Sequence, residues 1–391
     1  MDEPAYPVDN RSLPTSHFEM DSTSTISQTA PERPSRGSTN APSESGGNAV
    51  SSRITQSLGT GTGSVCSAKE RMLRLSTPVA GELRQVERRL QKELQSPYEE
   101  LVGILQHGTQ LGGKRLRPAL LMLTGAAVGE LTNEHIVLGT VVEMVHTATL
   151  IHDDVLDEAE TRRHVPTINS RWNEHTSILV GDYLFAQSFR LAATLSSTAA
   201  CQMVGEAARL VCEGELRQVL ARDALSISEQ DYFAMIRGKT AELCRVSCEL
   251  GAIYSGGDKA TIDAMSRYGD SLGIAFQIAD DFLDLWGVDV EVGKTLGTDI
   301  GQGKMTLPLI RLRQTLPASE WTTVMEILAG PVSNRLESIM PFLQNSDARS
   351  YTRSVAESFK QRALNSLNCL PDSPAKHSLV ELANFCVERR F

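Results

Sequence analysis

Residues 133–157 read NEHIVLGTVVEMVHTATLIHDDVLD. Val137, Val141, Val145 and Ala148 recur at steps of four, four and three, the spacing that lays apolar side chains along one face of a helix. Asn133 is placed to cap its start. The helix then runs into Asp153-Asp154-Val155-Leu156-Asp157, an acidic cluster set in apolar sequence, and residues 280–284 repeat the form as Asp280-Asp281-Phe282-Leu283-Asp284. In a helix the first and last Asp of each cluster lie on one face, about one turn apart, where like charges repel. A hard divalent cation resolves the repulsion. Mg²⁺ takes carboxylate oxygens, retains several waters and completes its shell with phosphate oxygens. Two such clusters therefore suggest a diphosphate held through Mg²⁺ between two helices.

Similar long apolar stripes run through 177–196, 202–221, 228–254 and 259–286, and alternating β-branched segments are nearly absent. The pattern predicts an all-α domain over residues 69–391 with about ten core helices, too many for a simple four-helix bundle. Residues 1–68 are dense in Ser, Thr, Gly and Pro and too poor in aliphatics to offset ordering entropy, so a disordered tail is expected there. No apolar core follows Met1, which argues against a secretory signal, and Asp2, Glu3, Asp9, Glu19 and Asp21 weaken a transit-peptide reading. The run Gly59-Thr60-Gly61-Thr62-Gly63-Ser64 has the wrong spacing for a dinucleotide loop and follows no strand; it reads as linker.

The chain has 391 residues, 41% hydrophobic and 22% charged, with a net charge of −10. The negative balance argues against nucleic acid as a partner, and no stretch approaches the roughly 20 apolar residues that span a bilayer. Seven scattered cysteines form no CxxC or CxxH pattern. Cys244 and Cys248 share a helical face but supply only two ligands, so reduced thiols in a cytoplasmic protein are expected. No HExxH or Cys/His set suggests zinc.

Basic groups surround the two clusters in sequence. Gly112-Gly113-Lys114-Arg115-Leu116-Arg117-Pro118 lies between helical stretches. Its glycines permit a tight turn, and Lys114 and Arg117 can reach one anion together. Arg162-Arg163 follows the first cluster, Lys239-Thr240 opens an apolar helical run, and Gln277 precedes the second cluster by three residues. Lys294 and Lys304 sit in the Gly-rich stretch after it. Gly293-Lys294-Thr295 resembles a P-loop ending, but Gly287 is one residue too far away and no strand leads in. His152 is read as a hydrogen-bonding neighbour of the metal site. A lone Lys pair or a single acidic cluster is commonly just solvated surface; two copies flanked by these cations are not.

These motifs resemble the trans-isoprenyl diphosphate synthases, or polyprenyl synthases, of medium- and long-chain type. The resemblance covers about residues 70–391 through GGKRLRP, LIHDDVLDEAETRRHVPTIN, Lys239-Thr240, FQIADDFLDLWG and GKTLGTDIGQGKMTLPLI. It implies an orthogonal helical bundle around a central cavity, homodimeric assembly, and about three Mg²⁺ ions per site, with Mn²⁺ as a substitute. By the same resemblance Asp153, Asp157 and Asp280 are the principal Mg²⁺ ligands, supported by Asp154, Asp281 and Asp284. The allylic diphosphate would meet Arg162, Lys239, Thr240, Gln277, Lys294 and Lys304, with Lys239 and Lys294 stabilising the leaving group. Isopentenyl diphosphate would meet Lys114, Arg117, His146 and Arg163. His146 stands seven residues before Asp153, about two turns away on the same face. One departure is His164, where the family commonly has Gly.

The implied reaction ionises an allylic diphosphate, adds isopentenyl diphosphate and loses a proton. Developing charge on pyrophosphate is the difficulty, and cations answer it. In this family the growing tail runs past the residues preceding the first cluster. Thr149 and Ala148, about 6 and 7.5 Å before Asp153 along the helix axis, are not aromatic plugs, which predicts an all-trans product beyond about C20, of about C30–C50 and suited to a quinone side chain. A farnesyl or geranylgeranyl diphosphate synthase would close the tunnel earlier, for instance at Met144. A class I terpene cyclase would carry an N-D-x-x-S-x-x-x-E second motif and no GGKRLRP. A non-catalytic regulatory subunit would lose an aspartate cluster, and this chain keeps both. A greasy product implies transient membrane contact.

Overall fold

A computed structural model describes residues 68–110, 115–222, 224–287 and 296–388. Lys114, Lys294 and tail residues 1–67 lie outside the described residues, so the expectations on them are not addressed; Ala68, assigned to the tail, begins the first helix. In chain order the helices are α1 (Ala68–Leu75), α2 (Ala80–Glu93), α3 (Glu99–Gln110), α4 (Leu116–Val128), α5 (Asn133–Leu156), α6 (Ile168–Arg171), α7 (Glu174–Ala192), α8 (Ala199–Leu220) and α9 (Glu229–Ile236). There follow α10 (Glu242–Tyr254), α11 (Lys259–Trp286), α12 (Thr298–Gly301), α13 (Leu307–Thr315), α14 (Ala318–Ala329), α15 (Val332–Asn345), α16 (Ala348–Ser366) and α17 (Pro374–Glu388). The all-α expectation holds: the only strands among the described residues are the two-residue pair β1 (Thr161–Arg162) and β2 (Val165–Pro166).

Helix α5 is the axis of the fold. Every residue from His135 to Val145 is buried, so the stripe seen in sequence is one side of a helix enclosed all round. It packs on α7, α4 and α2, while α10 and α11 pack on each other and α11 on α16. Polar groups inside this helix are answered. Thr140 and Thr147 donate to the carbonyls four residues back, both at 2.8 Å, and the fully buried Glu143 accepts from Arg115 at 2.6 Å. The N-cap is Thr132 rather than Asn133, because the Thr132 N–H donates to His135 Nδ1 at 3.0 Å, closing a reciprocal capping arrangement that Asn133 would be one residue too late to make. The caps of α7, α9 and α11 are Asn173, Ser228 and Asp258, each accepting from the backbone N–H three residues on.

Two local features aim the site. The β1–β2 hairpin turns on Arg163 and His164, with φ of 52° and 64°, the left-handed pair that a two-residue loop needs. Glycine would sit there without the Cβ penalty of about 1–2 kcal/mol per residue, so His164 keeps the turn at a cost in strain. The second feature is a π turn, Arg237–Ala241, between α9 and α10; such turns recur at functional sites because the extra residue re-aims side chains. Its neighbours are held unusually close by glycine. A Cβ on Gly214 of α8 would fall 2.6 Å from the Lys239 nitrogen, and one on Gly273 of α11 would fall 2.5 Å from the Ala241 Cα. The π turn is therefore clamped between α8 and α11.

Candidate active site

The clamp brings the two aspartate clusters to one place. Lys239 Nζ lies 3.7 Å from Asp153 Oδ2, at the end of α5, and 2.5 Å from Glu215 Oε2 on α8. The next residue, Thr240, donates its hydroxyl to Gln277 Oε1 at 2.8 Å, and Gln277 Nε2 donates to Asp281 Oδ1 at 2.8 Å on α11. Adjacent residues of one π turn thus touch the first cluster and the second. A further link runs through Lys304, whose Nζ is 3.9 Å from Asp157 and 3.8 Å from Asp299. The Asp299 N–H in turn donates to Asp284 Oδ2 at 3.1 Å.

Within each cluster the carboxylates divide their work. Asp154 is buried and takes Arg162 Nε at 2.8 Å on Oδ1. Asp281, also buried, accepts from Tyr232 OH at 2.6 Å and from Gln277. Asp284 accepts the N–H groups of Thr298 and Asp299, fixing the start of α12. Asp153, Asp157 and Asp280 stay half-buried. Burial pushes Asp153 up to about 6, with Lys239 opposing and Glu215 and Asp157 adding. Burial and the charge of Asp299 push Asp281 up to about 8, against the Tyr232 and Gln277 hydrogen bonds. Both are carboxylates that added positive charge would relieve.

A basic basin lies beside the first cluster. Arg117 Nη1 is 2.9 Å from His146 Nε2. Burial first, then Arg117, Arg163, Arg162 and Arg115, hold His146 well below the usual histidine range. The neutral ring accepts from Arg117 at Nε2 and so carries its proton on Nδ1. Arg115 is committed to Glu87 and Glu143 and Arg162 to Asp154; with Arg117 and Arg163 they concentrate positive charge around His146.

Comparison with known proteins gives the family. The sequence profile described as "Polyprenyl synthetase" matches residues 98–339. The chain belongs to the polyprenyl synthetase family. An all-trans-nonaprenyl-diphosphate synthase (geranyl-diphosphate specific) of Rhodobacter capsulatus is 34% identical over 313 residues, covering 80% of this chain and 96% of the relative. The crystal structure of a decaprenyl diphosphate synthase from the same organism superposes with a TM-score of 0.77 at 36% identity, covering 81% of this chain and 99% of that one. A geranylgeranyl pyrophosphate synthetase from Pyrococcus horikoshii superposes with a TM-score of 0.76 at 28% identity, covering 82% and 99%. The polyprenyl synthase fold is thus common to proteins named for long and shorter products. As a polyprenyl synthase the chain is a prenyltransferase with the all-α isoprenoid synthase fold.

Most of the residues picked from sequence meet in this polyprenyl synthase site: Asp153 with Lys239, Asp157 with Lys304, Asp154 with Arg162, Arg117 with His146, and Thr240 with Gln277 and Asp281. Ala148 is fully buried, and Thr149 is half-buried with its hydroxyl donated to the His146 carbonyl at 2.8 Å. His152 departs from expectation. Its Nε2 lies 3.1 Å from the Ile178 carbonyl on α7, and its ring packs on Phe185. Successive helix residues point about 100° apart, so the neighbour of Asp153 faces away from the cluster, into the gap that Gly181 leaves. Glu215, Tyr232 and Arg222 escaped sequence reading. Each comes from another helix or turn and carries no motif of its own; only Glu215, beside Gly214 on an apolar stripe, offered a signal.

The donor set suits a hard cation. Its oxygens are carboxylates, and Asp154 Oδ2 is buried with no hydrogen-bond partner among the described residues. No cage of three or more protein ligands exists among those residues, so a cation here would draw on waters and phosphate oxygens, the habit of Mg²⁺.

Proposed function

We propose that this polyprenyl synthase is a Mg²⁺-dependent head-to-tail prenyltransferase that condenses isopentenyl diphosphate with an allylic diphosphate. Its product is an all-trans polyprenyl diphosphate of about C30–C50, since Ala148 and Thr149, the residues one turn or more before Asp153, set no aromatic side chain across the tail's path. The observation that carries the reading is the pair of aspartate clusters tied to one π turn through Lys239 and Thr240. Asp153, Asp157 and Asp280 would hold the cation, and Asp154, Asp281 and Asp284 orient the helix ends around it. Mg²⁺ bound there would neutralise the departing pyrophosphate as a Lewis acid.

The chain's own residues do the rest. Lys239, Lys304 and Arg162 face the allylic diphosphate and stabilise negative charge as the carbon–oxygen bond breaks. Lys239 remains protonated: burial works against its charge, but Asp153 and Glu215 outweigh it. Arg117, His146 and Arg163 hold isopentenyl diphosphate, with neutral His146 offering a donor rather than a second full charge. The buried aliphatic wall of α5 excludes the water that would quench an allylic cation. Departing pyrophosphate is the proton acceptor. We infer homodimeric assembly and a cytoplasmic setting, with the greasy product handed to a membrane; no helix among the described residues is long and apolar enough to cross one.

Incubation of the purified chain with radiolabelled isopentenyl diphosphate, farnesyl diphosphate and Mg²⁺, followed by dephosphorylation, tests the reading. Linear polyprenols longer than about C20, lost on adding EDTA, are expected. Cyclic hydrocarbons, or no turnover, would overturn it.

A further inference from the structure

Arg222 occupies the turn after α8 and reaches across to the end of α5. Its Nη2 donates to Asp157 Oδ1 at 3.0 Å and to the Leu156 carbonyl at 3.4 Å. Asp157 is the C-cap residue of α5, so the guanidinium also sits at the negative end of that helix, where a cation is favoured. Its Nε is buried and has no acceptor among the described residues. The other Asp157 oxygen is 3.9 Å from Lys304 Nζ. Asp153, the other first-cluster ligand, has its lysine at 3.7 Å and is not in hydrogen-bonding contact with it. Of the two, Asp157 is the one already held by a guanidinium.

That arrangement has a consequence for cation binding. A guanidinium cannot be deprotonated at working pH, and it repels a second cation brought to the same carboxylate. We propose that Arg222 is a positioning residue that holds Asp157 before the cation arrives and raises the cation concentration the site requires. It rests on the reading of Asp157 as a cation ligand. Arg222 keeps the Asp157 carboxyl aimed while the site is empty of substrate, then yields Oδ1 when cation and diphosphate enter together. The pyrophosphate charge compensates the repulsion, so the coupling favours the cation–diphosphate pair over the bare cation.

The test measures Mn²⁺ binding to the full chain by electron paramagnetic resonance of the free ion, with and without inorganic pyrophosphate. Arg222→Gln keeps a hydrogen-bond donor and removes the charge; it should bind Mn²⁺ about tenfold more tightly than wild type without pyrophosphate, and the difference should shrink when pyrophosphate is present. Arg222→Lys retains the charge and should stay within about threefold of wild type. A purely structural role predicts the opposite sign, because loosening the end of α5 would weaken binding. Arg222→Gln binding Mn²⁺ no more tightly than wild type overturns the inference. Asp157→Asn separates the two failures: if it loses Mn²⁺ while Arg222→Gln matches wild type, only the Arg222 role falls. If wild type binds no Mn²⁺ even with pyrophosphate, the cation-site reading and this inference fall together.

Discussion

Replacing Lys239 by Gln removes a charge that two carboxylates share. Its Nζ stands 2.5 Å from Glu215 and 3.7 Å from Asp153, whose side chains are only 14% and 19% exposed. At an effective dielectric of about 20, a pair 3.7 Å apart attracts by about 4.5 kcal/mol, and losing one partner of a buried pair costs about 3–5 kcal/mol. The π turn and the Gly214 contact hold this lysine in place before substrate binds, so its attraction for the leaving group is fully available in the transition state. Removing one such preorganised group costs about 10²–10³ in kcat. Single-turnover elongation of farnesyl diphosphate at saturating Mg²⁺ should therefore slow by that factor. The KM for isopentenyl diphosphate should move by less than about threefold if, as proposed, Arg117, His146 and Arg163 bind it independently of Lys239. Glu215→Gln, which loses only the steering, should cost about tenfold. A Lys239→Gln enzyme within tenfold of wild type would refute the reasoning, provided its urea midpoint shows it folded.

Other consequences follow from the same geometry. Ala148→Phe puts a ring into a fully buried position of α5; overpacking should cost about 1–3 kcal/mol and shorten the product, and an unchanged length distribution by mass spectrometry would remove Ala148 as the floor. Gly273→Ala drives a methyl to 2.5 Å from Ala241 Cα and should destabilise by about 1–3 kcal/mol while pulling Thr240 from Gln277. Gly81→Ala meets nothing within 4 Å and should stabilise by about 0.5–1 kcal/mol; equal thermal shifts for the two would contradict the clamp. Burial also holds His135 and His146 below their unfolded pKa. The unfolded chain then binds protons that the folded chain refuses, so these two histidines favour folding above about pH 6.5 and cost up to about 1.4 kcal/mol per unit each below it. The raised Asp153 and Asp281 carboxyls act the other way across the same range, so the histidine share is read by difference: His135→Gln should lose less stability, or gain more, than wild type between pH 7.5 and 5.5 in urea titrations, and an unchanged difference would contradict it.

What the sequence disclosed and what it withheld divide along a physical line. Val137, Val141, Val145 and Ala148 announced α5 because a helix buries every third or fourth residue whatever it packs against. The two DDxxD clusters were legible because uncompensated like charge is costly. Glu215, Arg222 and Tyr232 were not, since each acts through a contact between distant segments that depends on how closely α8, α11 and the π turn approach. That approach is permitted by Gly214 and Gly273, and a lone glycine in a helical pattern does not say which neighbour it admits. Thr132 was missed as the cap because its partner His135 had to be seen first. The division of labour within each cluster was hidden too: Asp281 and Asp284 spend their oxygens on Tyr232, Gln277 and the start of α12, which only tertiary structure reveals.

The most direct test is a crystal structure of the chain with Mn²⁺ and a non-ionising thio analogue of farnesyl diphosphate, read by anomalous scattering. The account predicts ions about 2.1 Å from carboxylate oxygens of Asp153, Asp157 and Asp280, on both sides of a single diphosphate. Ions bound by one aspartate cluster alone, with the diphosphate lying elsewhere, would contradict it.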